Sequence, residues 1–178
     1  MKYLSYVATE GGPILVGDIG TFSNWHGIDT NDYDDLISEM DINDKLITID
    51  KMQAICWDPE GGGTTYIYEF SDKIFLIKGF EKDLSRYCLS PLNYEEKIGS
   101  ISVHTGLAMV YATEPATMIN EVIPNNSGHI IHEDIAFENS VFVKKGLKER
   151  FNCYSDYIYD DDKTLYKVKR LVLEKVKK

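Results

Sequence analysis

Leu46-Ile47-Thr48-Ile49-Asp50-Lys51-Met52-Gln53-Ala54-Ile55-Cys56-Trp57 and Tyr66-Ile67-Tyr68-Glu69-Phe70-Ser71-Asp72-Lys73-Ile74-Phe75-Leu76-Ile77 decide the fold class. In each stretch two runs rich in β-branched and aromatic residues flank a short polar connection, Asp50-Lys51 in the first and Ser71-Asp72-Lys73 in the second, which is the spacing of a β-hairpin. Tyr66, Tyr68 and Phe70 fall on alternate positions and so share one face of their strand, whereas Phe75-Leu76-Ile77 is apolar without alternation, as a central strand would be. Two successive hairpins predict a meander, with these aromatics in the core.

The same signals extend outward. Tyr3–Ala8 and Pro13–Gly17 flank Glu10-Gly11-Gly12-Pro13, where paired glycines permit positive φ and proline fixes the exit, so a tight turn is expected. Farther on, Ile101–His104 and Leu107–Ala112 surround Thr105-Gly106 as a hairpin signal, and Asp134–Val143, Arg150–Tyr159 and Leu165–Glu174 read as extended, with Asp160-Asp161-Asp162-Lys163 turning the last hairpin. One helix is expected, Asn31–Met40. Asp29 or Thr30 can cap it, and Asp32, Asp34 and Asp35 suit the positive end of its dipole. Tyr33, Leu36, Ile37 and Met40 form its core face, turning Asp34, Asp35, Ser38 and Asp41 toward water. Glu81–Lys97, polar with Pro91 and Asn93 inside it, reads as a connection with one helical turn at most. The expected fold is therefore α+β and mainly antiparallel β: two consecutive β-meander halves packed as a sandwich-like or barrel-like unit, with one main helix at about residues 31–40. Residues 1–178 are expected to form a single compact domain whose two halves, 1–85 and 98–178, meet at the polar connection.

Composition narrows the function. The 178 residues carry 19 Lys+Arg against 29 Asp+Glu, a net charge of −10, with 43% hydrophobic residues. That is ample for a core, and the charge repels phosphate backbones and anionic membranes, so nucleic acid and membrane are not expected partners and a basic protein is. The charge is uneven: Met1–Glu60 holds three Lys and twelve Asp+Glu, whereas Lys144 onward holds eleven Lys+Arg and six Asp+Glu. The Lys167–Lys178 tail interleaves Tyr166, Val168, Leu171, Val172, Leu173 and Val176 and reads as a last strand with a frayed basic end. Cys56, Cys88 and Cys153, odd in number and far apart, read as reduced, buried, small apolar residues. With no apolar run of membrane-spanning length and no leader-like start, a cytoplasmic location is expected.

Motifs for chemistry are sparse, and neither cofactor, metal nor catalytic residue is expected. His129-Ile130-Ile131-His132-Glu133-Asp134 would place its imidazoles on opposite faces of a strand. Asp160–Asp162 lacks the pattern of an EF-hand. Gly61-Gly62-Gly63-Thr64-Thr65 lacks the lysine and following helix of a phosphate loop. No nucleophile elbow is present, although His26, His104, His129 and His132 could converge in space. Trp25-His26-Gly27 followed by Asn31-Asp32-Tyr33-Asp34 could be a ligand slot; the reading favoured by the frequent burial of large aromatics is a Trp that anchors the helix on the sheet.

Glu10-Gly11-Gly12-Pro13-Ile14-Leu15-Val16, Trp25-His26-Gly27, Asp32-Tyr33-Asp34, Met52–Trp57 running into Asp58-Pro59, and Thr64-Thr65 with the aromatic strand after it resemble, in order and spacing, the immunity protein 21 family of bacterial polymorphic toxin systems. The resemblance is best over Tyr6–Asp83; Ser102–Val110 and Leu165–Leu173 are compatible with it. The chain departs from the family at His26, where Arg is common, and at Lys78-Gly79, near which the family carries Arg-Trp. The resemblance implies an immunity protein that binds and neutralises a cognate toxin domain in the cytoplasm of the producing cell, without catalysis, the toxin being encoded beside it. Gly11, Gly12, Pro13, Trp25, Gly27 and Tyr33 are expected to be structural. If the toxin is a nuclease with a basic cleft, an acidic inhibitor would be steered to it, and Asp32, Asp34, Asp35 and Asp41 are the expected contacts, with Asp160–Asp162 as the alternative patch. The competing readings are a β-sandwich module that binds a carbohydrate or peptide through Tyr154, Tyr157, Tyr159 and Tyr166, and a small hydrolase with a His beside a nucleophile or metal.

Overall fold

In the computed structural model the first hairpin forms between β3 (Lys45–Ile49) and β4 (Met52–Trp57), and Asp50 and Lys51 both take the positive φ that such a two-residue turn requires. The second forms between β5 (Gly63–Phe70) and β6 (Lys73–Gly79), with Ser71 at φ 56°. The residues described are 1–38, 44–79, 83–92, 96–114, 128–130, 141–159 and 166–177. The expected turn at Asp160–Lys163, Met40 and Asp41 of the helix, His132, and Asp134–Ser140 lie outside them.

Among the described residues twelve strands build two antiparallel six-stranded sheets that face one another as a sandwich and do not close into a barrel. Besides those named, they are β1 (Lys2–Thr9), β2 (Ile14–Asp18), β7 (Glu96–Val103), β8 (Gly106–Tyr111), β9 (Gly128–Ile130), β10 (Val141–Lys145), β11 (Glu149–Tyr159) and β12 (Tyr166–Lys175). One sheet runs β1-β5-β6-β12-β11-β7, the other β3-β4-β2-β8-β10-β9. The two hairpins thus lie in different sheets, and the chain crosses the sandwich between β4 and β5. It also crosses between β1 and β2 and between β7 and β8, so Thr105-Gly106 is a link between sheets and not a hairpin turn.

The strand orders hold a pattern that no sequence repeat announces. Adding six to each strand number of the first half gives the second: β1-β5-β6 meets its counterpart β12-β11-β7 in one sheet, and β3-β4-β2 meets β8-β10-β9 in the other. The two halves thus have equivalent strand orders, related as by a pseudo-twofold between β6 and β12 in one sheet and between β2 and β8 in the other. Phe75 pairs with Val172, and Val16 with Met109, at these seams. Core positions follow suit: Ile14, Val16, Ile74 and Leu76 share the inter-sheet core with Leu107, Met109, Leu171 and Leu173. Equivalent positions are all apolar, and three of these four pairs differ in identity, because the core demands volume and hydrophobicity more than a particular side chain.

Two further apolar layers cover the outer faces. Phe75 and Ile77 turn away from the inter-sheet core and pack with Tyr68, Leu84, Tyr87, Cys88, Val168 and Val172, which is why β6 is apolar on both faces. The Ser85–Cys88 3-10 turn on this face is held by Arg170, which is fully buried. Its guanidinium pairs with Asp156 and donates to the carbonyls of Tyr87, Ser90 (3.2 Å) and Pro91 (2.6 Å). The tail expected to fray is therefore a central strand, with Lys169 and Arg170 buried on its opposite faces. The other sheet is covered by Phe22, Trp25 and Leu36.

The crossing from β7 to β8 is braced by Asp18. This buried carboxylate accepts N–H bonds from Gly20 (2.8 Å), His104 (2.6 Å) and Thr105 (2.8 Å) and the Thr105 hydroxyl (2.8 Å). Burial pushes its pKa up, but the Thr105, His104 and Gly20 bonds together outweigh burial and hold it below the ordinary carboxylate value.

Candidate functional site

The helix α1 is Asp32–Ser38, with the Thr30 hydroxyl accepting from the Asp32 amide at 3.2 Å. Leu36 is buried and Tyr33 packs beside it, as the 3.6-residue period requires, but Ile37 is 38% exposed. The apolar stripe is narrower than expected because one turn of contact with the sheet covers only the Tyr33 and Leu36 side. Asp34, Asp35 and Ser38 are exposed. Asp32 is not: it turns back, accepting from the His26 amide at 2.9 Å and lying 3.3 Å from the His26 ring nitrogen.

Each motif residue of the N-terminal half has a structural duty. Trp25 is 5% exposed and donates its indole N–H to the Ala112 carbonyl at 3.0 Å. Gly27 sits at φ 58°, and a Cβ there would lie 2.2 Å from the Thr113 carbonyl oxygen. Gly11 and Gly12 carry φ 126° and 112°, the Tyr111 hydroxyl donates to the Gly11 carbonyl at 2.7 Å, and the Pro13 carbonyl accepts from the Ala112 amide at 3.0 Å. Tyr33 stacks its hydroxyl above Gly12, where a Cβ would be 3.1 Å away. Burial foremost, then Tyr111, Asp58 and Asp34, raises its pKa. These residues bind the segment after β2 to the end of β8, and so place α1 along the edge strand β3.

Between α1 and β3 runs a groove of about 670 Å³, lined by Asn24, Trp25, Asp32, Asp35, Leu36, Lys45 to Ile49 and Asp50. Its floor is apolar, from Trp25, Leu36 and Ile47. Its rim is acidic, with Asp32 and Asp35 from the helix and Asp50 from the hairpin turn, where Asn24 donates to the Asp50 carboxylate. β3 hydrogen-bonds to β4 alone among the described strands, so one wall of the groove is a sheet edge. The structure thus brings Asp32 and Asp35 together, leaves Asp34 exposed beside the groove, and adds Asp50, Asn24 and Lys45, which sequence reading missed. Asp50 was visible as a turn residue; only the crossing of the chain between sheets brings that turn to the helix.

The other candidates separate. Tyr154 packs in the outer apolar layer. Tyr157 is half-buried and donates to the Glu60 carboxylate at 2.6 Å; burial, then that bond, pushes its pKa up. Tyr159 is 42% exposed and stacks on Tyr157, with ring centres 6.0 Å apart. Of these tyrosines, Tyr159 alone is exposed among the described side chains. The Tyr166, His129 and His132 side chains and Asp160–Asp162 lie outside the described residues. His104 is exposed, and its amide serves Asp18. The His26 ring meets Asp32 and no Ser or Cys. Among the described residues no group of three His, Cys, Asp or Glu is arranged to hold a metal, and no helix is long and apolar enough to cross a membrane. Burial pushes the thiols of Cys56 and Cys153 up to about 12 and that of Cys88 up to about 11, so all three stay protonated near neutral pH.

A second polar cluster closes one end of the inter-sheet core. Lys169, only 2% exposed in its side chain, lies 3.1 Å from Asp44 and 3.5 Å from Glu60, and its ammonium sits 5.8 Å from the Trp57 ring centre and 5.1 Å from that of Tyr157. Asp44 also accepts from the Ser155 hydroxyl at 2.5 Å and the Asp58 amide at 2.9 Å. This cluster ties the turn after β4 to β11 and β12. Comparison with protein-family models, curated proteins and solved structures finds no match to the chain.

Proposed function

We propose that this chain is a non-catalytic binding protein of the immunity type, which neutralises a bacterial toxin domain by laying its acidic groove against a basic face of that domain. The observation that carries the reading is the groove itself: an apolar floor rimmed by Asp32, Asp35 and Asp50 beside β3, the edge strand of its sheet among the described residues, on a protein of net charge −10. Fixed carboxylates around a desolvated apolar strip attract and orient a basic partner, while the strip supplies the area that holds it. The resemblance to immunity protein 21 supports the reading. So does the structural employment of the glycines, Pro13 and Trp25 it rests on, which leaves Asp35 and Asp50, outside the shared motifs, free to vary with the toxin.

The test is co-expression with the product of the adjacent upstream gene. The wild-type chain is expected to restore growth, and a variant with Asp32, Asp35 and Asp50 all changed to Asn is expected to restore it less or not at all while remaining folded. A neighbour without toxicity, or full rescue by the triple variant, would overturn the reading or the groove respectively.

A further inference from the structure

Lys78 is the one buried lysine of the described residues that no carboxylate serves. It lies on β6 directly opposite Lys169 of β12, and its side chain shares the inward face with Ile74 and Leu76, two and four residues back. Lys169 takes Asp44 and Glu60. Lys78, 7% exposed, has a single partner among the described residues, the Gly62 carbonyl at 2.5 Å. Burial lowers its pKa. Like charges directly opposite on neighbouring strands repel, and both carboxylates near this pair, Asp44 and Glu60, lie against Lys169 and leave Lys78 without an ionic partner among the described residues.

Polar groups around it are unsatisfied too. The Trp57 indole N–H and the Thr9 and Thr65 hydroxyls are buried without a hydrogen-bond partner. Thr65 precedes Tyr66, the partner of Ile77, and so stands beside Lys78 across the β5–β6 ladder, while Thr65 pairs with Val7, two residues before Thr9. Trp57 approaches from the opposite sheet, within 5.8 Å of the Lys169 ammonium. An indole N–H and an ammonium can only donate, and threonine hydroxyls can donate as well. All of these groups can thus donate, and one oxyanion would accept from them together. Access would come through the turn after β4, where Gly61 to Gly63 are exposed and Gly62 packs on the Glu10 carbonyl, since Lys78 is held there by one backbone bond.

We infer that this end of the sandwich is a binding site for a small oxyanion, a carboxylate or phosphate, which takes the place of the Gly62 carbonyl on Lys78 and accepts from Trp57 and the Thr9 and Thr65 hydroxyls. The inference is independent of toxin binding, because the site lies inside the sandwich and the groove outside it.

The experiment follows thermal unfolding and Trp emission of the purified chain against sodium phosphate and sodium acetate, with sodium chloride at matched ionic strength as reference. The expected result is a saturable rise in Tm with phosphate or acetate above the chloride reference, weakened about tenfold in apparent affinity by Lys78→Met and by Thr65→Val, in keeping with the loss of a hydrogen bond to a charged group. Thr65→Val preserves shape and keeps the test open if Lys78→Met does not fold. An equal rise in wild type and variants would mean general salt stabilisation and would overturn the site, as would no rise beyond chloride.

Discussion

Replacing Asp18 with Asn probes the joint on which the two halves depend. The substitution keeps the shape and removes the charge. With the amide nitrogen at the position facing His104 and Thr105, two N–H bonds of 2.6 and 2.8 Å become donor against donor. With it flipped, the Gly20 amide bond is lost, and the Thr105 hydroxyl, now 2.8 Å from that position, can reverse to accept. The flipped form is therefore the cheaper. Its cost is one charge-assisted bond plus the weakening of the two that remain, about 2–4 kcal/mol. For a chain of 178 residues this corresponds to a fall in Tm of roughly 4–16 °C, at about 2–4 °C per kcal/mol. Urea unfolding at pH 7 measures it. The acid limb supplies a second readout. Because the folded pKa of Asp18 lies below its unfolded value, its contribution is complete above about pH 4 and is lost as pH falls through the folded value, so the Asn variant should lose less stability than wild type over that window. A cost under about 1 kcal/mol at pH 7, with an unchanged acid limb, would refute the assignment of Asp18 as the brace.

Three further outcomes follow. Trp25→Ala should cost about 3–5 kcal/mol in urea unfolding, because it empties a buried site and orphans the Ala112 carbonyl; an unchanged midpoint would make Trp25 a surface residue. Gly27→Ala should lower Tm more than Gly61→Ala, since a Cβ at 27 meets the Thr113 carbonyl at 2.2 Å while one at 61 meets nothing within 4 Å; equal effects would contradict the packing of that loop. The three thiols, held protonated by burial, should react with an aromatic disulfide only as fast as the chain unfolds, and rapid labelling of the native protein would contradict their placement.

Local pattern made the hairpins legible, since Asp50-Lys51 and Ser71-Asp72 tolerate positive φ between apolar runs. It also marked the double-sided burial of Phe75-Leu76-Ile77 and the capped start of the helix. Where the chain changes sheets was not legible. Thr105-Gly106 and Asp50-Lys51 look alike in sequence, and only the Asp18 carboxylate, 87 positions from Thr105, tells the chain to cross at the first. The burial of Lys169 and Arg170 was hidden for the same reason: their partners Asp44 and Asp156 lie 125 and 14 residues away, and a lysine-rich tail reads as solvated until its partners are known. Of the groove, Asp32 and Asp35 were found from helix periodicity, whereas Asp50 and Asn24 entered through tertiary contact. The symmetry of the strand orders was masked because most related positions share only apolar character.

Affinity of the purified chain for the product of the adjacent upstream gene, the proposed toxin, measured at low and at high salt for wild type and for the variant with Asp32, Asp35 and Asp50 changed to Asn, tests the account most directly. The prediction is binding that weakens with salt in the wild type, and in the variant an affinity lower by about ten- to a hundredfold at low salt with a flatter salt dependence. Equal affinity and equal salt dependence of the two proteins would contradict the claim that the acidic groove is where the partner binds.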